Sequence, residues 1–159
     1  MANVSMICGK ICSGKTTYAQ RLCAARRSVL LSIDEIMLAL FGLYAGEQHD
    51  EFAEKTETYL LEKSAEIVRS GISVVLDWGF WTKQKRDSAR KFFTMRGIAH
   101  EMHYISIRDE TWRLRIEHRN RAVLAGTARA YLVDDNLAAK FAARFEMPNR
   151  AEIDVWVAE

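Results

Sequence analysis

The chain has 159 residues, 49% of them hydrophobic and 28% charged, and a formal net charge of +2. That length suits one domain with a real core, and that balance suits a globular protein rather than a disordered or fibrous one. A surface so near neutrality is not built to coat a polyanion, and no apolar run approaches membrane-spanning length.

The sequence enters its first strand at once, so no signal peptide is expected. Three cysteines, Cys8, Cys12 and Cys23, form no CxxC pair and read as the reduced thiols of a cytoplasmic protein. His49, His100, His103 and His118 are scattered and supply no zinc ligand set.

Residues 3–8 are short and apolar, which predicts a buried parallel strand. Gly9-Lys10-Ile11-Cys12-Ser13-Gly14-Lys15-Thr16 then fits G-x-x-x-x-G-K-[ST] without a mismatch, and a helix-compatible run follows to residue 27. Strand, loop and helix in that order make the pattern a phosphate-binding loop. Gly9 and Gly14 permit backbone dihedrals and a close approach that a Cβ forbids. The helix start turns its dipole toward the phosphates. Lys15 is expected to neutralise the β- and γ-phosphates, Thr16 to ligate Mg²⁺ through its hydroxyl, and Thr17 to complete the loop.

Residues 28–33 form a second apolar run ending at Asp34-Glu35, and residues 36–41 read as helical up to Gly42. Residues 43–49 read as a loop. A long amphipathic helix is predicted over 50–70, with Phe52, Thr56, Tyr59, Leu60, Lys63, Ile67 and Val68 at near-helical spacing, Asp50 as N-cap and Gly71 as its stop. Residues 72–76 predict the third strand, closed by Asp77. Thr82 caps a helix to residue 96, which Gly97 stops. Residues 98–107 predict a fourth strand, and 109–121 an arginine-rich helix before a break at Gly126. Residues 134–145 predict another helix, with Pro148 ending that region, and 153–157 a last strand. Strands alternating with helices predict a doubly wound α/β sheet with right-handed crossovers.

In such a sheet the ligand lies beyond the carboxyl ends of the strands. Asp34 and Asp77, at two strand ends, should therefore converge where the phosphate loop points. Asp77 is expected to hold Mg²⁺ with Thr16, the competing role being a turn cap. Asp34 is expected to act as the general base for an attacking hydroxyl; an N-cap role alone would also explain it. Arg115 and Arg119, four apart on one helix face, suit a lid over the triphosphate, with Glu110 and Glu117 as competing partners. Arg113 and Arg121 share that spacing with neighbours. The Trp78-Gly79-Phe80-Trp81 segment reads either as the wall of an acceptor pocket or as core packing. Arg86 reads as a surface residue, or as one reaching an anionic substrate.

Together these residues resemble a family of small P-loop kinases that includes the AAA-33-type predicted kinases, chloramphenicol 3-O-phosphotransferases, zeta-toxin kinases and the 5′-kinase domain of phage polynucleotide kinase. The resemblance covers nearly the whole chain. It implies a three-layer P-loop NTPase fold in one domain, 1–159, with a mainly parallel five-stranded sheet, helices on both faces and a short helical lid near 109–133. In that family the aspartate after the second strand activates the acceptor, which matches Asp34, and the lid pattern R-x-x-x-R matches Arg115 and Arg119. The third-strand motif matches Val74 through Phe80. Phe145-Glu146-Met147-Pro148 and Glu152 match a C-terminal pattern that lies near the nucleotide base in related kinases. The polynucleotide kinase carries an arginine where this chain has Met37. The expected function is ATP- and Mg²⁺-dependent transfer of a γ-phosphoryl group to the hydroxyl of a small metabolite or antibiotic. A nucleoside or polynucleotide 5′-hydroxyl kinase is the second reading. An ATP-binding regulator that hydrolyses slowly is the third.

Overall fold

The structure, a computed structural model, describes residues 1–42 and 46–158. Five strands form one sheet: β1 (Val4–Cys8), β2 (Val29–Ser32), β3 (Val74–Asp77), β4 (His100–Ile105) and β5 (Val155–Val157). Every pairing is parallel and the order is β2-β3-β1-β4-β5. Six helices accompany them: α1 (Lys15–Arg26), α2 (Ile33–Phe41), α3 (His49–Arg69), α4 (Lys83–Met95), α5 (Asp109–Leu124) and α6 (Asp135–Arg144).

The alternation of β1 divides the core. Val4, Met6 and Cys8 join Leu76, Met102 and Tyr104 under α2, α3 and α4, where Met37, Leu60, Ala89 and Phe93 are buried. Ile7, Val75 and Ile105 face the other way, onto Ala19 and Leu22 of α1. Successive strand side chains point to opposite faces, so one central strand serves both layers. The expected three-layer fold is therefore present. The α1 side also holds a polar network. Glu101 accepts from Ser5 Oγ at 2.9 Å and pairs with Arg26, while Tyr18 Oη meets His103 Nδ1 at 2.8 Å.

Several boundaries differ from the sequence reading. Ile33 opens α2 rather than closing β2, so Asp34 lies in a first helical turn. The N-cap there is Ser32, whose Oγ accepts from Glu35 N at 3.3 Å. Ser-x-x-Glu is the signature of such a cap, and it outcompetes Asp34 for the role. Asp50 is likewise inside the first turn of α3, after Gln48. Tyr59 of α3 is 61% exposed and not part of its buried stripe, which runs through Leu60, Ser64 and Ala65. Asp77 is the last residue of β3 itself. Helix α6 stops at Arg144, four residues before Pro148, so the proline does not end it. Thr82 and Asp134 cap α4 and α6, accepting from Lys85 N and Leu137 N. The predicted 43–49 loop falls partly outside the described residues, at 43–45. Gly46–Gln48 form a 3-10 turn.

Candidate functional site

The loop between β1 and α1 carries the site. Gly14 sits at φ 96° and Cys12 at φ 58°, both left-handed, which turns the chain sharply into α1. A Cβ on Gly9 would meet Ser13 Oγ at 2.8 Å, and one on Gly14 would meet Arg115 Nη1 at 2.8 Å. Gly9 thus needs glycine for space, and Gly14 for its dihedral, since the Arg115 tip could swing aside.

The carbonyls of Lys10, Ile11 and Ser13 are each taken by a donor. Lys10 O accepts from Lys15 Nζ at 2.6 Å and Ser13 N at 3.2 Å. Ile11 O accepts from Trp112 Nε1 at 2.7 Å, and Ser13 O from Arg115 Nη1 at 2.7 Å. A trans peptide points its N–H opposite to its C=O, so the N–H groups of Cys12 and Gly14 turn away from α5. The first N–H groups of α1 have no intrahelical partner and add to them. This is an anion cradle built from backbone. Ser13 Oγ is buried there without a partner, a polar atom left available to a ligand.

Beside the cradle, Thr16 Oγ1 donates to Asp77 Oδ2 at 2.7 Å. Burial pushes the Asp77 carboxyl above its ordinary value. Repulsion from Asp34 and Glu35 adds to this, and the Thr16 hydrogen bond and the Lys15 charge oppose it. Burial also lowers the Lys15 ammonium, against the pull of Asp77 and Asp34. Three carboxylates and one buried cation thus sense one another. A hydroxyl and a buried carboxylate are hard oxygen donors, so the pair fits Mg²⁺, and a cation there would relieve the crowding of negative charge. Among the described residues no group of three or more His, Cys, Asp or Glu is placed to hold a metal by itself.

One cleft of about 2060 Å³ runs from this loop to the far wall. Lys15, Thr16, Thr17, Asp34 and Asp77 line it, as do Arg115 and Arg119; Glu35 does not. Arg119 Nη1 lies 3.3 Å from Cys12 Sγ. Arg115 and Arg119 bond the loop, Arg121 lines the cleft, and Arg113 is exposed. Across the cleft, Asp50, Glu54 and Glu57 of α3 form an acidic wall, with Lys85 bound to Glu57 at 2.5 Å. Tyr131, which the sequence did not single out, also lines the cleft, its ring edge-on to His49.

The whole aromatic segment after Asp77 lines the cleft, and part of it is core as well. Trp78 and Phe80 are 8% and 2% exposed, stack on each other and belong to the core. Trp81 is only partly buried and leans against Phe141 of α6, on the cleft. Gly79 O accepts from Gly9 N, tying this segment to the phosphate loop.

Arg86 holds that segment in place, contrary to both sequence readings. It is 1% exposed. Its Nε donates to Glu152 Oε2 at 2.7 Å, and its Nη1 reaches the carbonyls of Phe80, Trp81 and Glu146 at 3.1, 3.3 and 2.9 Å. The planar guanidinium joins three chain segments that share no helix or strand. The C-terminal pattern is part of the same clasp. Glu146 N bonds Trp81 O at 2.8 Å, Glu146 Oε2 accepts from Lys83 N, and Phe145 stacks on Tyr104.

A family profile for AAA domains, AAA_33, matches residues 4–148. The chain belongs to the AAA_33 family. Comparison with curated proteins returns no match. Among solved structures, this AAA_33 domain superposes on a protein of Chloroflexus aurantiacus J-10-fl assigned provisionally as a kinase. The TM-score is 0.74 at 18% identity, over 99% of this chain and 84% of the other. Kti12 of Chaetomium thermophilum, solved with ADP-AlF3, gives 0.69 at 17% identity over 98% and 88%. The APS kinase of Mycobacterium tuberculosis, solved with AMPPNP and APS, gives 0.65 at 15% over 99% and 88%. At these identities the likeness establishes the fold, that of the P-loop kinases. No helix among the described residues is long and apolar enough to cross a membrane.

Proposed function

We propose that this protein is an ATP-dependent kinase that transfers the γ-phosphoryl group to a hydroxyl of a small molecule. The observation that carries the proposal is the position of Asp34. It stands in the first turn of α2 and lines the same cleft as the phosphate cradle, with its charge felt by both Lys15 and Asp77. An alcohol is far too weak an acid to attack unaided, and a carboxylate facing the cradle is the group that chemistry needs. Asp34 takes the proton of the acceptor hydroxyl as its oxygen attacks phosphorus. Gly9, Lys10, Ile11, Cys12, Ser13, Gly14 and Thr17 wrap the phosphates, with Lys15 balancing their charge. Arg115 and Arg119 stand over the transferring group, where charge spreads in the transition state. Mg²⁺ held by Thr16 and Asp77 would supply positive charge to the phosphate oxygens.

Asp50 and Glu54, the members of that wall without Lys85 as partner, support a small acceptor over a polynucleotide, whose phosphates they would repel. Met37, where the phage polynucleotide kinase has its arginine, is buried in the core at 1% exposure. Three free thiols suit a reducing cytoplasm.

The test begins with labelled ATP and a panel of hydroxyl-bearing metabolites, antibiotics and 5′-OH oligonucleotides, scored by the mass of one added phosphate. Asp34→Asn should then lower transfer by roughly a hundredfold or more while ATP affinity stays within about twofold. Full transfer activity in that variant would sink the general-base assignment. Label on the oligonucleotide alone would favour the polynucleotide reading.

A further inference from the structure

Helix α5 meets the phosphate loop along one face. Trp112, Arg115, Ile116 and Arg119 stand at i, i+3, i+4 and i+7, which brings them to one side of a helix. The two arginines bond Ser13 O and Cys12 Sγ, but each ends a long flexible side chain and cannot fix a helix alone. Trp112 is different. It is 9% exposed, and its one polar atom donates to Ile11 O at 2.7 Å.

The loop meets the tryptophan from its side too. The Lys10 ammonium pairs with Asp109 at 2.9 Å and lies 5.0 Å from the centre of the Trp112 ring. Ile11 and Cys12 pack against Trp112, Ile116 and Val133 in an apolar cluster separate from the main core. The three variable residues at the loop tip thus insert into the interior of the lid.

We propose that Trp112 is a positioning residue. With the Lys10–Asp109 pair it docks α5 onto the loop tip and sets Arg115 and Arg119 over the bound phosphates. The segment Lys10-Ile11-Cys12 then has two roles, backbone for the cradle and side chains for the lid. Pre-setting the arginines removes the entropic cost of ordering them when nucleotide arrives. This inference rests on the reading of Arg115 and Arg119 as phosphate-binding groups.

Calorimetric titration of AMPPNP·Mg²⁺ and of adenosine into wild type, Trp112→Phe, Arg119→Ala and the double variant tests it. Trp112→Phe keeps an aromatic ring and removes the bond to Ile11 O. It should weaken AMPPNP about fivefold to tenfold and leave adenosine, which has no phosphate, unchanged. Arg119→Ala should weaken AMPPNP as well, and the double variant should lose clearly less than the product of the two factors, because an undocked arginine has little left to lose. Asp109→Asn, which touches only an exposed carboxylate, should act in the same direction and guards against a folding defect in Trp112→Phe. AMPPNP affinity within twofold in both Trp112→Phe and Asp109→Asn, or strict additivity with Arg119→Ala, overturns the docking role. If Arg119→Ala and Arg115→Ala are themselves without effect, the phosphate-binding reading fails and takes the proposal with it.

Discussion

Replacing Arg86 by methionine keeps much of the side-chain volume and removes the guanidinium. Four hydrogen bonds disappear, one to the Glu152 carboxylate and three to the carbonyls of Phe80, Trp81 and Glu146. Both members of the ion pair are withdrawn from solvent, at 1% and 11% side-chain exposure. Breaking such a pair from one side costs about 3–5 kcal/mol, since the stranded Glu152 carboxylate is left with the Asn149 N–H and no bonded cation. For a domain of this size each kcal/mol lowers the melting midpoint by about 2–4 °C, so a fall of roughly 6–20 °C is expected. Thermal unfolding followed by far-UV circular dichroism measures it. Adding Glu152→Gln should recover part of the loss, because the lone carboxylate is then gone. A fall of less than about 2 °C would refute the clasp. So would a double variant no better than Arg86→Met.

The same clasp has a pH signature. Burial alone would raise the Glu152 carboxyl, but the hydrogen bonds from Arg86 and from Asn149 N, with the Arg86 charge, hold it below the ordinary 4.5. A depressed folded value means that this contribution is complete above that pH and is lost as pH falls through the folded value. Arg86→Met should flatten that part of the acid-stability profile. Glu101 offers a wider window. Burial pushes it up, yet hydrogen bonds from Arg26, His103 and Ser5 outweigh this and hold it at about 2, against 4.5 in the unfolded chain. Melting midpoints should therefore drop as pH falls from 4.5 toward 2, and Glu101→Gln should lose that slope. An unchanged slope would show that the network is not ionised as described. At Gly79, an added Cβ would fall 1.8 Å from Trp81 Nε1. Gly79→Ala should therefore expel the indole from its place beside Phe141, seen as red-shifted tryptophan emission relative to a Trp81→Phe control. Identical emission with and without the methyl group would contradict the packing.

The phosphate loop, the strand–helix alternation and the meeting of Asp34 with Asp77 were legible because each follows from local pattern plus one topological rule. Boundaries slipped where two residues competed for one job. Ser32 and Asp34 both suit an N-cap, and only the Ser-x-x-Glu spacing favours the first. Arg86 was illegible for another reason. Its partners lie 5, 6, 60 and 66 residues away, and no periodicity encodes a side chain that bonds the carbonyls of two segments and a carboxylate of a third. An arginine is almost never buried, so composition argued against its true place. Trp112 hid in plain view within a run read for its arginines. Its position three before Arg115 and seven before Arg119 was the available signal. The Trp78–Trp81 segment could not be read as core or cleft because it is both, lining the cleft throughout while Trp78 and Phe80 pack in the core.

The strand order works as a ruler. Parallel neighbours in a sheet lie about 4.8 Å apart, so the end of β1, which carries the donor loop, and the end of β2, which carries Asp34, are separated by roughly 10 Å. Asp77, on β3, occupies the single strand between them. On the proposed kinase reading, donor and acceptor chemistry are thereby housed one strand apart, with the carboxylate proposed to hold the metal on the strand between them. If that reading holds, residues of α2 and α3 could be exchanged to admit a different alcohol while the spacing between the two strand ends stays fixed by the backbone hydrogen bonds of β2, β3 and β1.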